Sequence, residues 1–276
     1  MKKKKVRLDI LLVEKGFCET REKAKRTIMA GMVYSDQVRL DKPGEKVEPD
    51  ISIEIKGKVM PYVSRGGLKL EKALQSFQIS VEGKVMLDIG SSTGGFTDCA
   101  LQNGAKLSYA IDVGTNQLDW KLRSDDRVIV MEKTNFRYVT PEDLKGDTPN
   151  FATIDVSFIS LKRIFPVLRK LLLPNSDVIA LVKPQFEAGR EQVGKKGIVR
   201  EAKIHEQVLE DIVTFSIEEG YDIEHITYSP ITGGDGNIEF LLHLKWNNKT
   251  KGELSPDVNI HDTVAEAHTT LQKKRS

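Results

Sequence analysis

Cysteine is scarce in this chain: Cys18 and Cys99 are the only two among 276 residues. They make neither a disulfide framework nor a metal-ligand cluster, so no metal is expected and a reducing cytoplasm is the expected setting. Long apolar runs are absent too, which leaves no candidate transmembrane helix and no expected membrane partner. The opening MKKKKVRLDILLVEKG is basic and then apolar, as a secretory signal is. Asp9 and Glu14 break its apolar part and no small-residue cleavage site follows, so it reads as part of the folded protein. Aromatic residues make up 7% of the chain, and few are interleaved with the basic residues of the first sixty positions. That scarcity argues against stacking on single-stranded bases there.

An excess of one charge sign is also missing overall, with 42 Lys+Arg against 40 Asp+Glu and a net charge of +2. The balance hides an asymmetry. Residues 1–58 carry 15 basic and 10 acidic residues, and the remainder carries a net −3. The first segment stays slightly positive even without Lys2 to Lys5. A small basic module beside a larger, mildly acidic part points to a polyanion partner for the former.

Within that module, Leu8, Leu11, Leu12 and Lys15 have the spacing of a short amphipathic helix stopped by Gly16. Thr20 is placed to cap a second helix, REKAKRTIMAG, which Gly31 ends; Ala24, Ile28 and Met29 are its expected core positions. Arg21 and Lys25 share a face and Arg26 lies nearby. Short alternating stretches and a Pro43-Gly44 turn follow. The order LDILLVEKG, TREKAKRTIMAGMV, VRLDKPGEKV resembles the alpha-L RNA-binding module of certain ribosomal proteins, pseudouridine synthases and a tyrosyl-tRNA synthetase domain. The resemblance implies that Arg7, Arg21, Lys25 and Arg26 supply cations to phosphates of folded RNA. Taken singly, each of these is better read as an ordinary solvated helix charge; the ordered pattern as a whole is what favours RNA binding. Residues 59–64, within KGKVMPYVSRGG, read as a linker.

From residue 65 to 247 helical and strand-like runs alternate. KVMLDIG, KLSYAIDVG, RVIVME, NFATIDVS and DVIALVKP read as buried strands. SLKRIFPVLRKLLL and KIHEQVLEDIVTFSIEEG read as amphipathic helices, and DIEHITYSP with NIEFLLHLKW as a terminal antiparallel pair. The expected fold is α/β: a doubly wound, mostly parallel sheet with its ligand at the carboxyl ends of the strands, and a small N-terminal α+β domain. Residues 248–276 form a polar tail in which Ile260, Val264, Ala267 and Leu271 have the spacing of a short docking helix.

LDIGSSTGGFTDCAL, residues 87–101, runs from an apolar strand ending on Asp88 through a glycine-rich turn into a helix, the form of a nucleotide-cofactor site. Gly90, Ser92 and Gly95 fall on the three glycine positions of the dinucleotide fingerprint, and Asp112 ends the next strand roughly 20 residues on, where a ribose-binding acid belongs. Spacing alone therefore admits NAD. Ser92, however, occupies the position where glycine lets the backbone approach a pyrophosphate, and a cofactor without phosphates needs no such approach. DIGSSTGG instead resembles the S-adenosylmethionine turn of Rossmann-like methyltransferases.

Four further residues extend that resemblance. Asp155 in IDVSF, Lys183 in LVKPQFE and Glu239 in GNIEFLL lie at strand ends and Lys69 in SRGGLKL opens the helix before the first strand; a doubly wound sheet could bring all four to one cleft. They resemble the Lys-Asp-Lys-Glu tetrad of FtsJ-like ribose 2′-O-methyltransferases. From residue 6 to 246 the chain resembles the TlyA family of ribosomal RNA methyltransferases, historically also labelled hemolysins. The family implies S-adenosylmethionine as cofactor and methylation of cytidine 2′-hydroxyls in 16S and, in some members, 23S rRNA, on ribosomal subunits. It implies that Asp88, Gly90, Ser91, Ser92, Gly94, Phe96 and Thr97 surround the methionine end of the cofactor, with Asp155 close by. Asp112 would accept the ribose hydroxyls, Asn135 face the adenine, and Phe158 pack near the cofactor or in the core. Arg65 and the loop GREQVGKKGIVR, with Arg190, Lys195, Lys196 and Arg200, are further expected RNA contacts, the loop as a substrate lid or as a plain exposed turn.

Other chemistries fit less well. Cytosine C5 methylation needs a nucleophilic cysteine, and Cys99 lies on the helix after the cofactor turn. Exocyclic-amine methylation usually carries an Asn/Asp-Pro-Pro-aromatic motif, and DVSF lacks both prolines. A pseudouridine synthase needs no cofactor fold. A non-catalytic assembly factor and a membrane-active hemolysin are the remaining alternatives. For the methyl transfer itself two roles stay open for Lys183. It acts as a base if Lys69 and burial depress its pKa, or as a cation stabilising oxyanion charge.

Overall fold

The structure is a computed structural model that describes residues 5–56, 60–233 and 236–273. The chain divides into two units, Met1–Pro61 and Tyr62–Ser276. In the smaller unit β1 (Val6–Arg7) runs straight into α1 (Leu8–Glu14), followed by α2 (Arg21–Met29), β2 (Val33–Ser35), β3 (Val38–Arg39), β4 (Lys46–Val47) and β5 (Glu54–Ile55). Leu8, Leu11 and Leu12 of α1 and Ala24 and Ile28 of α2 form its core. Gly16, at φ +75°, releases the chain from α1, and Thr20 caps α2 by accepting the Lys23 amide at 3.2 Å. Met29, expected in the core, is exposed. One residue past Ile28 is about 100° further round the helix, off the buried face. β2 pairs with β3 and β5, and β4 with β1, all antiparallel.

The larger unit contains α3 (Gly66–Ser76), β6 (Val85–Ile89), α4 (Gly95–Gln102), β7 (Leu107–Ile111), α5 (Trp120–Arg123), β8 (Val128–Met131), β9 (Phe151–Ile154) and α6 (Phe165–Leu168). It continues with β10 (Ser176–Val182), α7 (Pro184–Glu187), α8 (Ala202–Glu218), β11 (Tyr221–Tyr228), β12 (Phe240–Trp246) and α9 (Ile260–Lys273). One seven-stranded sheet has the order β11-β12-β10-β9-β6-β7-β8, in which β12 alone runs opposite to the other six strands. Successive strands wind outward from β6 through β7 to β8, then restart on its other side with β9. The carboxyl ends of β6 and β9 therefore flank the crevice where such sheets bind ligands.

Two stretches differ from expectation. Tyr62 and Val63, assigned to a linker, are buried in the larger unit's core, and the Val63 amide donates to Asp98 Oδ2 at 2.8 Å; residues 57–59 lie outside the described residues. SLKRIFPVLRKLLL is not one helix but a short 3₁₀ turn, Leu161–Arg163, and the single turn of α6. Pro166 sits in the first turn of α6, where its missing N–H is harmless, but it cannot continue a helix from residue 162. The apolar spacing remains in use: Leu161, Ile164, Phe165, Leu168, Leu171 and Leu172 are all buried. The docking helix expected in the polar tail is present as the fourteen-residue α9, which buries Val264, Ala267 and Leu271 in the main core. No helix among the described residues is long and apolar enough to cross a membrane.

Candidate active site

The glycine turn is shaped by how closely β6 and β9 approach. Ile89 pairs with Ile154, which sets Gly90 beside Asp155. A Cβ on Gly90 would lie 2.5 Å from the Asp155 carbonyl oxygen, and its φ of +84° is one that L-residues avoid. Just before it, Asp88 is fully buried. It accepts the Thr97 amide at 3.1 Å, the Thr97 hydroxyl at 2.7 Å and the Thr153 hydroxyl at 3.0 Å. These bonds fasten the end of β6 to the first turn of α4 and to β9. Burial pushes the Asp88 carboxyl up to about 6, against the Thr97 and Thr153 bonds that favour its charged form.

Beyond the turn opens a cleft of about 520 Å³. Its wall brings together four charged side chains from α3, the ends of β9 and β10, and the start of β12. Lys69 Nζ lies 2.7 Å from Glu239 Oε2 and 3.5 Å from Asp155 Oδ2, and Lys183 Nζ lies 2.5 Å from Asp155 Oδ1. Lys183 also donates to Ser157 Oγ at 3.1 Å. Two ammonium groups and two carboxylates thus neutralise one another. That balance is what makes it tolerable to bury Glu239 to 3% side-chain exposure at the head of an apolar strand. Burial disfavours the Lys69 charge, but Asp155 and Glu239 outweigh it and hold its pKa above the usual value. Asp155 is likewise buried, yet Lys69 and Lys183 keep its carboxyl below the usual range.

Such an arrangement is a mutually paired set of donors and acceptors beside a glycine-floored pocket. The FtsJ-like methyltransferase model matches residues 62–246 and the S4 domain model residues 6–50. A Mycobacterium tuberculosis protein named 16S/23S rRNA (cytidine-2′-O)-methyltransferase TlyA is 38% identical over 88% of this chain and 90% of its own length. The chain belongs to the TlyA family of FtsJ-like methyltransferases. The Bacillus subtilis protein named "Putative rRNA methyltransferase YqxC" is 65% identical over 100% of this chain and 99% of its own. A solved structure described as "Putative hemolysin from Streptococcus thermophilus" is 53% identical, with a TM-score of 0.79 over 99% of both chains.

All four residues of the FtsJ-like tetrad line the cleft. So do Asp88, Gly90, Ser91, Ser92, Phe96, Phe158 and Arg65 among the positions the family pattern singles out. Others do not reach it. Gly94 backs onto Leu118 and Leu122, and Thr97 is engaged by Asp88. Asp112 turns its carboxylate to nearby backbone, accepting the Ser92 amide at 2.8 Å and the Gly114 amide at 2.7 Å. Asn135 turns its side-chain oxygen to the amide and guanidinium of Arg137 at 3.2 Å. Phe158 is not a core residue: it is 90% exposed at φ +63°, its ring 4.8 Å from that of Phe186.

The loop after β10 is tied down at its base. Ile198 and Val199 are buried, the Val199 amide donates to Asn237 Oδ1 at 3.0 Å, and Asn237 Nδ2 donates to the Gly197 carbonyl at 2.9 Å. Arg190, Lys196 and Arg200 are exposed; the Lys195 side chain lies outside the described residues. Sequence reasoning missed Gln185 and Asn237, both lining the cleft. Gln185 stands inside LVKPQFE and Asn237 inside GNIEF, but nothing in the letters marks a neutral amide as cleft-lining. In the smaller unit Lys25 pairs with Glu22 at 2.6 Å, and Arg7 and Arg21 both bind Asp9.

Proposed function

We propose that this protein transfers a methyl group from S-adenosylmethionine to the ribose 2′-hydroxyl of a cytidine in ribosomal RNA. The carrying observation is the Lys69–Asp155–Lys183–Glu239 network on the wall of a cleft floored by the Gly90 turn. The floor, stripped of side chains where β6 and β9 converge, and a volume in the range of small-molecule sites fit such a cofactor. Gly90, Ser91, Ser92 and Phe96 would hold its methionine end and Asp112 its ribose, and when bound it supplies an electrophilic methyl on a sulfonium.

The chain's own part is placement and charge. A ribose hydroxyl is a weak nucleophile that must be held in line with the methyl. Of the three donors of an ammonium group, Lys183 commits one to Asp155 and one to Ser157, leaving one for the hydroxyl oxygen. Lys183 is held in an ion pair with Asp155 at 2.5 Å, so we assign it to orienting that oxygen and stabilising its developing negative charge rather than to the base role, with the hydroxyl proton passing to water as the O–CH3 bond forms. Lys69 is a positioning residue that fixes Asp155 and Glu239. The S4-type unit supplies affinity for RNA phosphates through its excess of basic residues.

The test is methyl transfer from labelled S-adenosylmethionine to purified 30S and 50S subunits, with nucleoside mass spectrometry of the product. 2′-O-methylcytidine is the expected product, and a base-methylated nucleoside or no incorporation would sink the reading. Lys183→Ala is expected to lower turnover by on the order of a hundredfold or more while cofactor affinity, read by calorimetry, is unchanged. Near-parental turnover would remove Lys183 from this role.

A further inference from the structure

We propose that Asp9 is a positioning residue that holds the Arg7 and Arg21 guanidiniums side by side as one clamp for an RNA phosphate. The inference rests on the RNA-binding part of the function proposed above and adds the residue that shapes that contact. Asp9 stands in the first turn of α1 with a fully buried side chain, a placement that acids take only when paired. Arg7 meets it as a two-pronged fork, Nε to Oδ1 and Nη2 to Oδ2, both at 3.0 Å. Arg21 donates its Nε to the same Oδ2 at 2.9 Å. Sharing one oxygen sets the two planar groups next to each other, although Arg7 lies on β1 and Arg21 on α2.

The arginines stay open to solvent, with side chains 42% and 49% exposed. Each guanidinium has five N–H bonds. Arg7 directs two and Arg21 one at Asp9, and among the described residues neither donates to another side chain. Both terminal nitrogens of Arg21 thus remain available, the pair that matches two phosphate oxygens. The hydrogen bonds from Arg7 and then Arg21 hold the Asp9 carboxyl down to about 2, so it stays charged beside them. Without that carboxylate the two cations repel and their long side chains wander. With it, their orientation is set before RNA arrives, while one unit of local positive charge is lost. Orientation and charge therefore predict opposite signs for its removal.

Filter binding of the full-length protein to 16S and 23S rRNA across a potassium chloride series reads the sign. If Asp9 merely reduced charge, Asp9→Asn would tighten binding and steepen the salt dependence. The expected result is affinity roughly tenfold weaker and a log–log salt slope shallower by about one phosphate contact. Binding equal to or tighter than the parent's overturns the proposal. In an Arg7→Gln, Arg21→Gln background Asp9→Asn is expected to change affinity no further; an additional loss there means general damage to the unit and also overturns it. Should Asp9→Asn fail to fold, Arg21→Lys decides, since it keeps the charge but loses the fork. Several-fold weaker binding supports the clamp and parental binding refutes it. An unsubstituted protein with no salt-dependent affinity for either RNA would instead bring down the RNA-binding reading itself, and the clamp with it.

Discussion

At the scale of single residues, this protein buries charge under two different regimes. In the Lys69–Asp155–Lys183–Glu239 network every charge has an opposite neighbour. Asp88 has none: three N–H and O–H donors surround it, and Asp155 nearby adds repulsion. Its pH dependence follows. The folded value of about 6 lies above the ordinary carboxyl value of 3.8, so the native state holds the proton more tightly than the unfolded chain does. Its stabilising contribution is full below about 3.8 and is lost as pH rises through 6. Asp88→Asn deletes that loss. Relative to the parent, the variant should gain on the order of 3 kcal/mol between pH 4 and pH 7.5, measured by urea denaturation across that range. A parent-to-variant difference that is flat with pH would show that Asp88 is not perturbed in this way. The tetrad is legible in the amino-acid order because a carboxylate inside NIEFLLHL and a lysine after DVIALV have no apolar reason to be there. Gln185 and Asn237 are not, since a neutral amide looks the same whether it faces solvent or a cleft.

At the scale of elements, period and punctuation recover the strands, because each is a short apolar run closed by a polar residue, Gly or Pro. They fail where two rules conflict. SLKRIFPVLRKLLL keeps a helical apolar period, and its buried residues obey it, but Pro166 stops α6 from continuing a helix begun at residue 162; a period records which side faces the core, not whether the backbone bonds continue. The tail shows the reverse case. Ile260, Val264, Ala267 and Leu271 are few and widely spaced among polar residues, yet α9 is well anchored. Tyr228 donates to Glu266 at 3.1 Å, and His205 meets His268 at 2.9 Å. Asp222 holds the approach by accepting from Asn247 at 2.8 Å and from the Glu253 amide at 2.9 Å. α9 lies beyond the 62–246 span of the methyltransferase model, but it closes the core over α8 and β11. Leu271→Ala should therefore cost roughly 2–4 kcal/mol in equilibrium unfolding. A loss within about 0.5 kcal/mol, the size of an ordinary surface substitution, would mean that the tail is an appendage.

At the scale of the whole molecule, charge is divided between two units with different tasks. The first 58 residues hold a net +5 and the rest a net −3. The larger unit neutralises its buried cleft charges internally, whereas the smaller one keeps Arg7 and Arg21 half exposed. Salt weakens exposed charge interactions far more than buried ones. RNA binding also releases counterions from the phosphates, a term absent when a small cofactor enters a glycine-floored pocket. The two binding events should therefore separate under titration with salt. Raising potassium chloride should raise KM for ribosomal RNA steeply, with kcat and the dissociation constant for S-adenosylmethionine nearly constant. Steady-state kinetics alongside calorimetry reads all three. If cofactor affinity fell in parallel with RNA affinity, recognition of both ligands would depend on exposed charge and the division of labour between the units would fail. If KM for RNA did not move, the basic unit would have to recognise its partner by something other than phosphate.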